Sequence, residues 1–297
     1  MIANKKNIVL FLLGFKGFKV LEAVVKEFGS QIIEAVVIAK DPNINNDYFN
    51  EIWLYCNNHN IKSYLRVDEF IINPNSYLFA IGWRWIIKED YNLIVLHDSL
   101  LPKYRGFAPL VNCLINGEQK IGVTGIFASQ QYDMGDIITQ KDFTISYPIK
   151  IQQAIDIITN LYIQCIIEII NKIFANNLTS RKQEENFASY SLWRDEEDYY
   201  INWSDSSVNI KRFIDAVGEP YAGAKTLCDN VIYTIVDAEI IPDVNIENRK
   251  CHIGKVIFIY NGEPVIVCGN GLIKITKLIN QNGNVALPLT KFRLRFK

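Results

Sequence analysis

Several features that mark secreted, membrane or metal-binding proteins are missing from this sequence. Its six cysteines form no Cys-x-x-Cys pair and no Cys/His group at metal-ligand spacing, which is typical of a reduced cytoplasmic protein without a metal site. No uninterrupted run reaches the roughly 18 apolar residues that span a bilayer. The short apolar run at 8–13 is followed by Gly-Phe-Lys-Gly and not by the small-residue cleavage site of a signal peptide. We therefore expect a cytoplasmic protein that holds no metal and contacts no membrane.

The chain also has little net charge. It carries 31 basic and 32 acidic residues, a formal net charge of -1. Any contact with tRNA or with a membrane would therefore have to be local. Hydrophobic residues make up 49% and charged residues 21%, which is the balance of a globular protein with a large core. The length of 297 residues fits one large domain or two ordinary ones.

Apolar runs alternate with helical patterns through the first half of the chain. The runs lie at 7–13, 34–39, 77–81, 93–96 and 121–127, and helical spacing lies at 18–28, 48–58, from Pro109 onward, and at 151–174. Continuous apolar runs between helices predict a mostly parallel sheet that is covered on both faces. We expect a doubly wound, Rossmann-like α/β domain whose ligand lies at the carboxyl ends of the strands.

The second half of the chain has a different pattern. Residues 176–191 are polar and without periodicity, and a helix is expected at 206–216. Short strands are predicted at 233–238, 254–260, 264–268 and 272–278, with a hairpin turn at Asn261-Gly262. We therefore predict a catalytic domain at 1–178, a linker at 179–195, and a small β-rich, OB-like domain at 196–297.

A polar cluster follows the fourth predicted strand. His97 comes at the strand end, and Asp98, Ser99, Lys103 and Arg105 follow within eight residues. A lone histidine at a strand end is most often structural, but this cluster favours a polar site. Asp98 is interpreted either as a turn cap or as a ligand of a substrate ammonium.

Asp133 is a second candidate, between Tyr132 and the turn at Gly135. An aspartate here is either an ordinary turn residue or a carboxylate that orients and charges His97. A hydrolase using Ser99 with His97 is a weaker hypothesis, because no nucleophile-elbow motif surrounds the serine.

These motifs resemble those of the folate-dependent formyltransferases. The segments HDSLLPKYRG at 97–106 and YDMGDII at 132–138 are similar to the family's Asn-x-His-x-Ser-Leu-Leu-Pro and Asp-x-Gly-Asp motifs. Segments 12–21, 80–87 and 106–124 fit the family as well. Segments 201–217 and 219–226 resemble the carboxyl-terminal domain of methionyl-tRNA and amino-sugar formyltransferases. The resemblance covers nearly the whole chain.

The resemblance implies an activity and a set of site residues. The reaction would move a formyl group from 10-formyltetrahydrofolate, without a metal, to an amine. His97 and Asp133 would be the catalytic residues. The implied folate-binding residues are Gly82, Trp83, Ile86, Leu100, Leu101, Pro102, Gly106, Gln131 and Tyr132. The candidate substrate-binding residues are Asp98 and Ser99 of the polar cluster and the cations Lys16, Lys103 and Arg105, which could bind substrate phosphates.

One position departs from the family pattern. Val95 stands where the family has an asparagine that donates a hydrogen bond to the developing oxyanion. Losing one such donor costs about 100- to 1000-fold in rate. A protonated His97, a backbone amide or a water could supply the missing donor, or Asn112 could reach in from the following helix. Alternatively, the protein binds its ligands and catalyses poorly.

The amine acceptor is interpreted as a nucleotide-linked amino sugar, a precursor of the surface-polysaccharide type. Binding to tRNA needs a basic surface, yet residues 41–60 contain no lysine or arginine. Trp83 and Trp85 are candidates to stack on a nucleotide base, although pocket-wall aromatics are the more ordinary interpretation. The alternatives are a methionyl-tRNA formyltransferase and a ligand-binding homologue with weakened catalysis. The expected assembly is a homodimer.

Overall fold

The computed structural model describes residues 7–42, 44, 46–88, 91–289 and 291–297. Residues 1–6, which precede the apolar run that was compared with a signal peptide, lie outside this range. The chain divides into two compact units. The first comprises Met1–Leu110, Lys120–Thr144 and Ala154–Leu192, and the second Val111–Gln119, Ile145–Gln153 and Trp193–Lys297.

A seven-stranded sheet forms the centre of the first unit. Its strands are β1 (Ile8–Leu12), β2 (Ile33–Ile38), β3 (Ser63–Leu65), β4 (Tyr77–Ile81), β5 (Leu93–His97), β7 (Lys120–Phe127) and β8 (Ile137–Thr144). The order is β3-β2-β1-β4-β5-β7-β8. The first five are parallel, whereas β7 is antiparallel to β5 and to β8. All five residues of β1 are buried, as expected for a strand covered on both faces.

Helices α1 (Gly14–Phe28), α2 (Phe49–Asn58) and α4 (Ile151–Phe174) follow strands of this sheet, whereas α3 (Pro109–Ile115) precedes β7 and belongs mostly to the second unit. Helix α1 begins four residues before the predicted start. Gly14 has a φ of +69°, and a Cβ on Gly17 would lie 3.1 Å from the Cβ of Leu12, so both glycines let the helix leave the strand at once. Helix α4 is long and apolar enough to cross a membrane, but half of its most apolar window is buried inside the protein.

The mostly parallel, doubly wound arrangement predicted from the sequence is confirmed. Two strands of the sheet were not predicted. Strand β3 has only three residues and none of them is buried, and β8 is exposed over its second half. Neither strand therefore contains the continuous apolar run that marks a buried strand.

The polar segment that was predicted as a linker is packed against the loop after β5. Residues 183–191, here called the strap, end in β9 (Tyr190–Ser191), which pairs in parallel with β6 (Arg105–Gly106). The Arg105 amide donates to the Ser189 carbonyl at 2.8 Å, and the Phe107 amide donates to the Ser191 carbonyl at 3.0 Å. Backbone pairing therefore orders a stretch whose side chains show no periodicity.

The second unit contains helix α5 (Ser207–Ala216) and a five-stranded antiparallel sheet. Its strands are β10 (Ala224–Cys228), β11 (Val231–Ile241), β12 (Val256–Tyr260), β13 (Glu263–Val267) and β14 (Leu272–Asn280), in the order β10-β11-β14-β13-β12. The predicted β-rich second domain is thereby confirmed. Asn261 and Gly262, both with positive φ, make the expected turn between β12 and β13. The basic carboxyl end is fastened to this unit, because the Lys297 amide donates to the Leu227 carbonyl at 2.8 Å.

Candidate active site

His97 is the last residue of β5, and its ring lies between two oxygen acceptors. Its side chain is 8% exposed. Nε2 lies 2.8 Å from the carbonyl oxygen of Tyr104, and Nδ1 lies 3.5 Å from Oδ1 of Asp133. A carbonyl oxygen can only accept a hydrogen bond, so Nε2 carries the proton of that contact. Nδ1 is therefore the ring nitrogen at which a proton can be exchanged, next to the carboxylate.

Asp133 is fixed in the turn between β7 and β8. Its Oδ2 accepts a hydrogen bond from the Gly106 amide at 2.8 Å, and its backbone has a φ of +56°. Aspartate is one of the few residues that adopt this left-handed conformation. The turn also requires Gly135, because a Cβ there would lie 1.7 Å from the carbonyl oxygen of Phe127. The sequence predicted that Asp133 is the partner of His97, and in the structure Nδ1 of His97 lies 3.5 Å from Oδ1 of Asp133.

The loop after His97 is held by a hydrogen bond within the loop and by others to β7 and β8. The Ser99 hydroxyl is buried and donates to the Lys103 carbonyl at 2.6 Å. The Leu101 amide donates to Oγ1 of Thr124 at 3.1 Å, and the side-chain amide of Gln140 donates to the Leu101 carbonyl at 2.7 Å. Ser99, predicted to bind substrate, thus has its hydroxyl bonded inside the loop, whereas Lys103 is exposed.

Asp98 forms a partly buried cluster with Lys16 and Tyr162. The Lys16 ammonium lies 2.5 Å from Oδ2 of Asp98, and the Tyr162 hydroxyl donates to the other carboxylate oxygen. Burial would raise the pKa of Asp98, but the charge and hydrogen bond of Lys16 together with the bond from Tyr162 hold it below its usual range. Burial and the Asp98 charge raise the pKa of Tyr162 well above 10. Lys16 and Asp98, both predicted to bind substrate, therefore bind each other.

Arg105 is fully buried and lies against the strap. Its guanidinium makes two hydrogen bonds to Glu185, at 2.7 and 2.9 Å, and two to Oε1 of Gln183, at 2.8 and 3.1 Å. It also donates to the Tyr190 hydroxyl at 3.2 Å. The predicted substrate cation Arg105 is thus directed toward the strap, and its guanidinium is already paired there.

The predicted folate-binding residues lie at neighbouring strand ends in the first unit. Gly82, Trp83 and Ile86 follow β4; Leu100, Leu101, Pro102 and Gly106 lie in the loop after β5; Gln131 and Tyr132 lie in the turn before β8. Ile86, Gln131 and Tyr132 are exposed. The indole Nε1 of Trp83 is buried and has no hydrogen-bond partner within the described residues. An unpaired buried donor is costly, so this atom fits a ligand that brings an acceptor.

Sequence reasoning named Trp85 but missed the cations near it at the ends of β2, β3 and β4. The guanidinium of Arg66 lies over the Trp85 ring, 4.9 Å from its centroid. Arg84 pairs with Asp41 at 2.7 Å, and Lys40 comes two residues after the end of β2. Arg66 could not be assigned to this edge because β3, the strand before it, was not predicted.

Val95 lies two residues before His97 on the same face of β5, because side chains alternate along a strand. It packs against a cluster of Leu101, Ile126 and Ile137 and against the larger cluster that contains Leu93. Its surroundings are therefore apolar. Asn112, named as a possible substitute donor, belongs to the second unit, where its Oδ1 accepts a hydrogen bond from Arg194 at 2.8 Å.

Two family models match the chain, one in each half. "Formyl transferase" matches residues 65–159, which include His97 and Asp133, and "Formyl transferase, C-terminal domain" matches residues 194–292. The chain belongs to the formyltransferase family. This formyltransferase-family chain is 30% identical over 188 residues to methionyl-tRNA formyltransferase of Clostridium novyi, covering 63% of this chain and 59% of that protein. The matched region spans 59% to 63% of the length of the first such relatives.

Two solved structures of sugar formyltransferases share the fold of this formyltransferase-family chain. WlaRD, a sugar 3N-formyltransferase crystallised in the presence of dTDP and 5-N-formyl-THF, has a TM-score of 0.68 at 19% identity over 94% of this chain and 99% of that one. The N-formyltransferase of Helicobacter canadensis, in complex with folinic acid and dTDP-3-aminofucose, has a TM-score of 0.68 at 18% identity over 91% and 98%. At these identities the likeness concerns the fold.

Proposed function

We propose that this protein transfers a formyl group from 10-formyltetrahydrofolate to the amine of a nucleotide-linked amino sugar. The observation that carries the proposal is the His97–Asp133 pair. It lies at the carboxyl end of β5, where an open α/β sheet binds its ligands. The protein would act in the cytoplasm, and its six cysteines, none of which forms a disulfide within the described residues, support that location. A homodimer is part of the same proposal.

The pair can serve both proton transfers that the reaction needs. A bond forms between the amine nitrogen and the formyl carbon, and the bond from that carbon to the folate nitrogen breaks. The amine loses one proton and the departing nitrogen gains one. Nδ1 of His97 with the Asp133 carboxylate forms one proton-exchanging unit, since Nε2 donates to Tyr104. A positioned acid-base group of this kind contributes about 100- to 10,000-fold in rate.

The residues at the end of β4 fit the formyl donor. Trp83 presents a buried indole N–H that has no partner in the described part of the chain, and a pterin carries carbonyl and ring-nitrogen acceptors. The WlaRD structure was determined with 5-N-formyl-THF and the Helicobacter canadensis structure with folinic acid. The donor, when bound, supplies the formyl carbon, and this chain's residues bind it and exchange the protons.

A sugar-nucleotide acceptor is supported by the group at the ends of β2, β3 and β4. Trp85 offers an aromatic face for a base, and the exposed cations Lys40 and Arg66 offer charge for phosphates. The WlaRD structure was determined in the presence of dTDP, and the Helicobacter canadensis structure is a complex with dTDP-3-aminofucose. The predicted phosphate ligands Lys16 and Arg105 are already paired with Asp98 and Glu185.

Methionyl-tRNA is the second candidate acceptor, because the relatives from Clostridium novyi and Geobacter sulfurreducens, 30% and 28% identical, are methionyl-tRNA formyltransferases. Against it stands the net charge of -1, with no lysine or arginine at 41–60. Phosphate contacts would make binding to tRNA weaken steeply with salt.

A formyl-transfer screen tests the proposal. The full-length protein is incubated with 10-formyltetrahydrofolate and a panel of nucleotide-linked amino sugars, and separately with charged initiator tRNA, and products are detected by their mass increase. We expect turnover with at least one sugar nucleotide. Formylation of the tRNA alone, or of neither acceptor class, would contradict the proposed acceptor.

Two variants test the assignment of the pair. His97→Ala and Asp133→Asn should each lower kcat by about 100-fold or more while folate binding is retained. His252→Ala and Asp142→Asn make the same chemical changes in the second unit and on an exposed stretch of β8, and they should leave kcat unchanged. Near-full turnover in either test variant would exclude that residue from catalysis.

A further inference from the structure

Gln183 connects the strap to the turn that carries Asp133. Its side-chain amide donates one hydrogen bond to the Asp133 carbonyl at 2.7 Å and another to the Gly135 carbonyl at 2.8 Å. Its Oε1 accepts two hydrogen bonds from the buried guanidinium of Arg105, at 2.8 and 3.1 Å. Both amide protons and the amide oxygen of Gln183 are thus used, which fixes the orientation of the amide.

The backbone of Asp133 needs such support. A φ of +56° is accessible to aspartate but sparsely populated, and such residues persist when their surroundings hold them. Gln183 binds the two carbonyls on either side of Met134 and so fixes the direction of the peptide planes there. Because the Asp133 side chain leaves this backbone, rotation of the turn would move the carboxylate away from Nδ1 of His97.

The same strap also fixes the other partner of the Asp133 carboxylate. Oδ2 of Asp133 accepts from the Gly106 amide, and Gly106 belongs to β6, which pairs with β9 of the strap. Arg105, the neighbour of Gly106, binds Gln183 and Glu185. Strap, loop and turn therefore form one hydrogen-bonded unit around the carboxylate.

We propose that Gln183 is a positioning residue that holds the Asp133 carboxylate against His97. The expected effect of Gln183 on kcat rests on the proposed formyl transfer, whereas its effect on the position of Asp133 beside the His97 ring does not. The hydrogen bonds that Gln183 makes to described residues run to Arg105, Asp133 and Gly135, so Gln183 acts on His97 through the backbone of Asp133.

Two substitutions separate this role from a general loss of packing. Gln183→Met keeps the length of the side chain and removes both donors without adding a charge. Gln183→Glu keeps an oxygen for Arg105 but faces the two carbonyls with a carboxylate. A displacement of about 1 Å at a catalytic group costs about 100-fold, so both variants should lower kcat by about 10- to 100-fold and leave KM for the formyl donor within about twofold.

Gln31 provides the matched control. It is an exposed glutamine whose side-chain amide also donates to a backbone carbonyl, that of Phe28, at 2.8 Å. Gln31→Met and Gln31→Glu make the same chemical changes far along the chain from the strap, and they should leave kcat and KM unchanged. Thermal unfolding of all four variants verifies that the proteins compared are folded.

A spectroscopic measurement decides the proposal independently of turnover. The chain has three histidines, so the ring signals of His97 can be resolved by NMR against those of His59 and His252. Asp133→Asn defines the change that follows loss of the carboxylate. We expect Gln183→Met to move the His97 signals in the same direction and to leave the other two in place. Unmoved His97 signals in Gln183→Met, or a kcat within about twofold of the unsubstituted protein in both Gln183 variants, would overturn the proposal. Absence of formyl transfer in the unsubstituted protein would refute the proposed function alone.

Discussion

The apolar position of Val95 leads to a specific expectation for the substitution Val95→Asn. This change restores the amide that the family places two residues before the catalytic histidine. In this protein, however, the half-buried side chain at 95 packs against the cluster of Leu101, Ile126 and Ile137 and against the Leu93 cluster. An asparagine there would direct its amide into apolar surroundings.

The magnitude follows from this environment. Burying an amide without a hydrogen-bond partner costs about 1–3 kcal/mol in proteins. An oxyanion donor that is correctly placed contributes about 3–4 kcal/mol to the transition state. The second contribution is gained only if the amide reaches the reacting oxygen, and Val95 packs against Leu101, a residue of the loop that follows His97. We therefore expect Val95→Asn to lower the free energy of unfolding by about 2 kcal/mol and to give no increase in kcat.

The assay combines urea unfolding with formyl-transfer kinetics at saturating donor. Val95→Thr, which replaces one methyl group with a hydroxyl at nearly the same shape, measures the effect of polarity without a change of side-chain geometry. Val95→Ala removes volume without adding polarity and measures the packing alone. A tenfold or greater rise in kcat in Val95→Asn, with an unchanged free energy of unfolding, would refute this reasoning. The amide would then have stabilised the transition state by about 1.4 kcal/mol without destabilising the folded protein.

Three further outcomes are expected. Gly135→Ala should lower kcat by about tenfold or more, because the added Cβ would lie 1.7 Å from the Phe127 carbonyl oxygen and the turn must shift. Gly218→Ala, where the nearest atom to the added Cβ is at 3.5 Å, is the control, and an equal loss of kcat in both variants would contradict this reason. Tyr162→Phe should lower the free energy of unfolding by about 2 kcal/mol, since a carboxylate loses a hydrogen bond, and an unchanged urea midpoint would contradict this. The pKa of Asp98 is lowered in the folded protein, so the ionised carboxylate stabilises the fold above about pH 4, and this stabilisation is lost as the pH falls through the folded-state pKa. Asp98→Asn should therefore reduce the dependence of urea unfolding on acid pH. An identical pH dependence in the variant would refute the stabilising role of the Asp98 carboxylate.

The pattern of apolar runs was enough to predict the parallel part of the sheet. Strands β1, β2, β4 and β5 are buried on both faces, so each appears in the sequence as a continuous apolar run. The family motifs also predicted that His97 and Asp133 would be close, and the two side chains are 3.5 Å apart. Their catalytic roles remain a prediction.

The partners of charged residues could not be predicted in this way. Arg105, Lys16 and Asp98 were all interpreted as substrate ligands because charged side chains near a strand end are typical of a site. The structure pairs Arg105 with Glu185 and Lys16 with Asp98. These contacts join residues 80 and 82 positions apart, and nothing local in the sequence encodes them.

Sequence alone therefore determined the family, the fold class and the identity of the candidate catalytic pair, because burial period and short motifs are local properties of the chain. The tertiary structure decided which polar groups face the site and which support it. Gln183 shows the difference most clearly. It lies in a polar stretch without periodicity, and its relation to Asp133, 50 residues earlier, exists only after the strap pairs with β6. Hydrogen bonds between distant segments depend on the folded path of the chain, and no pattern along the sequence carries that information.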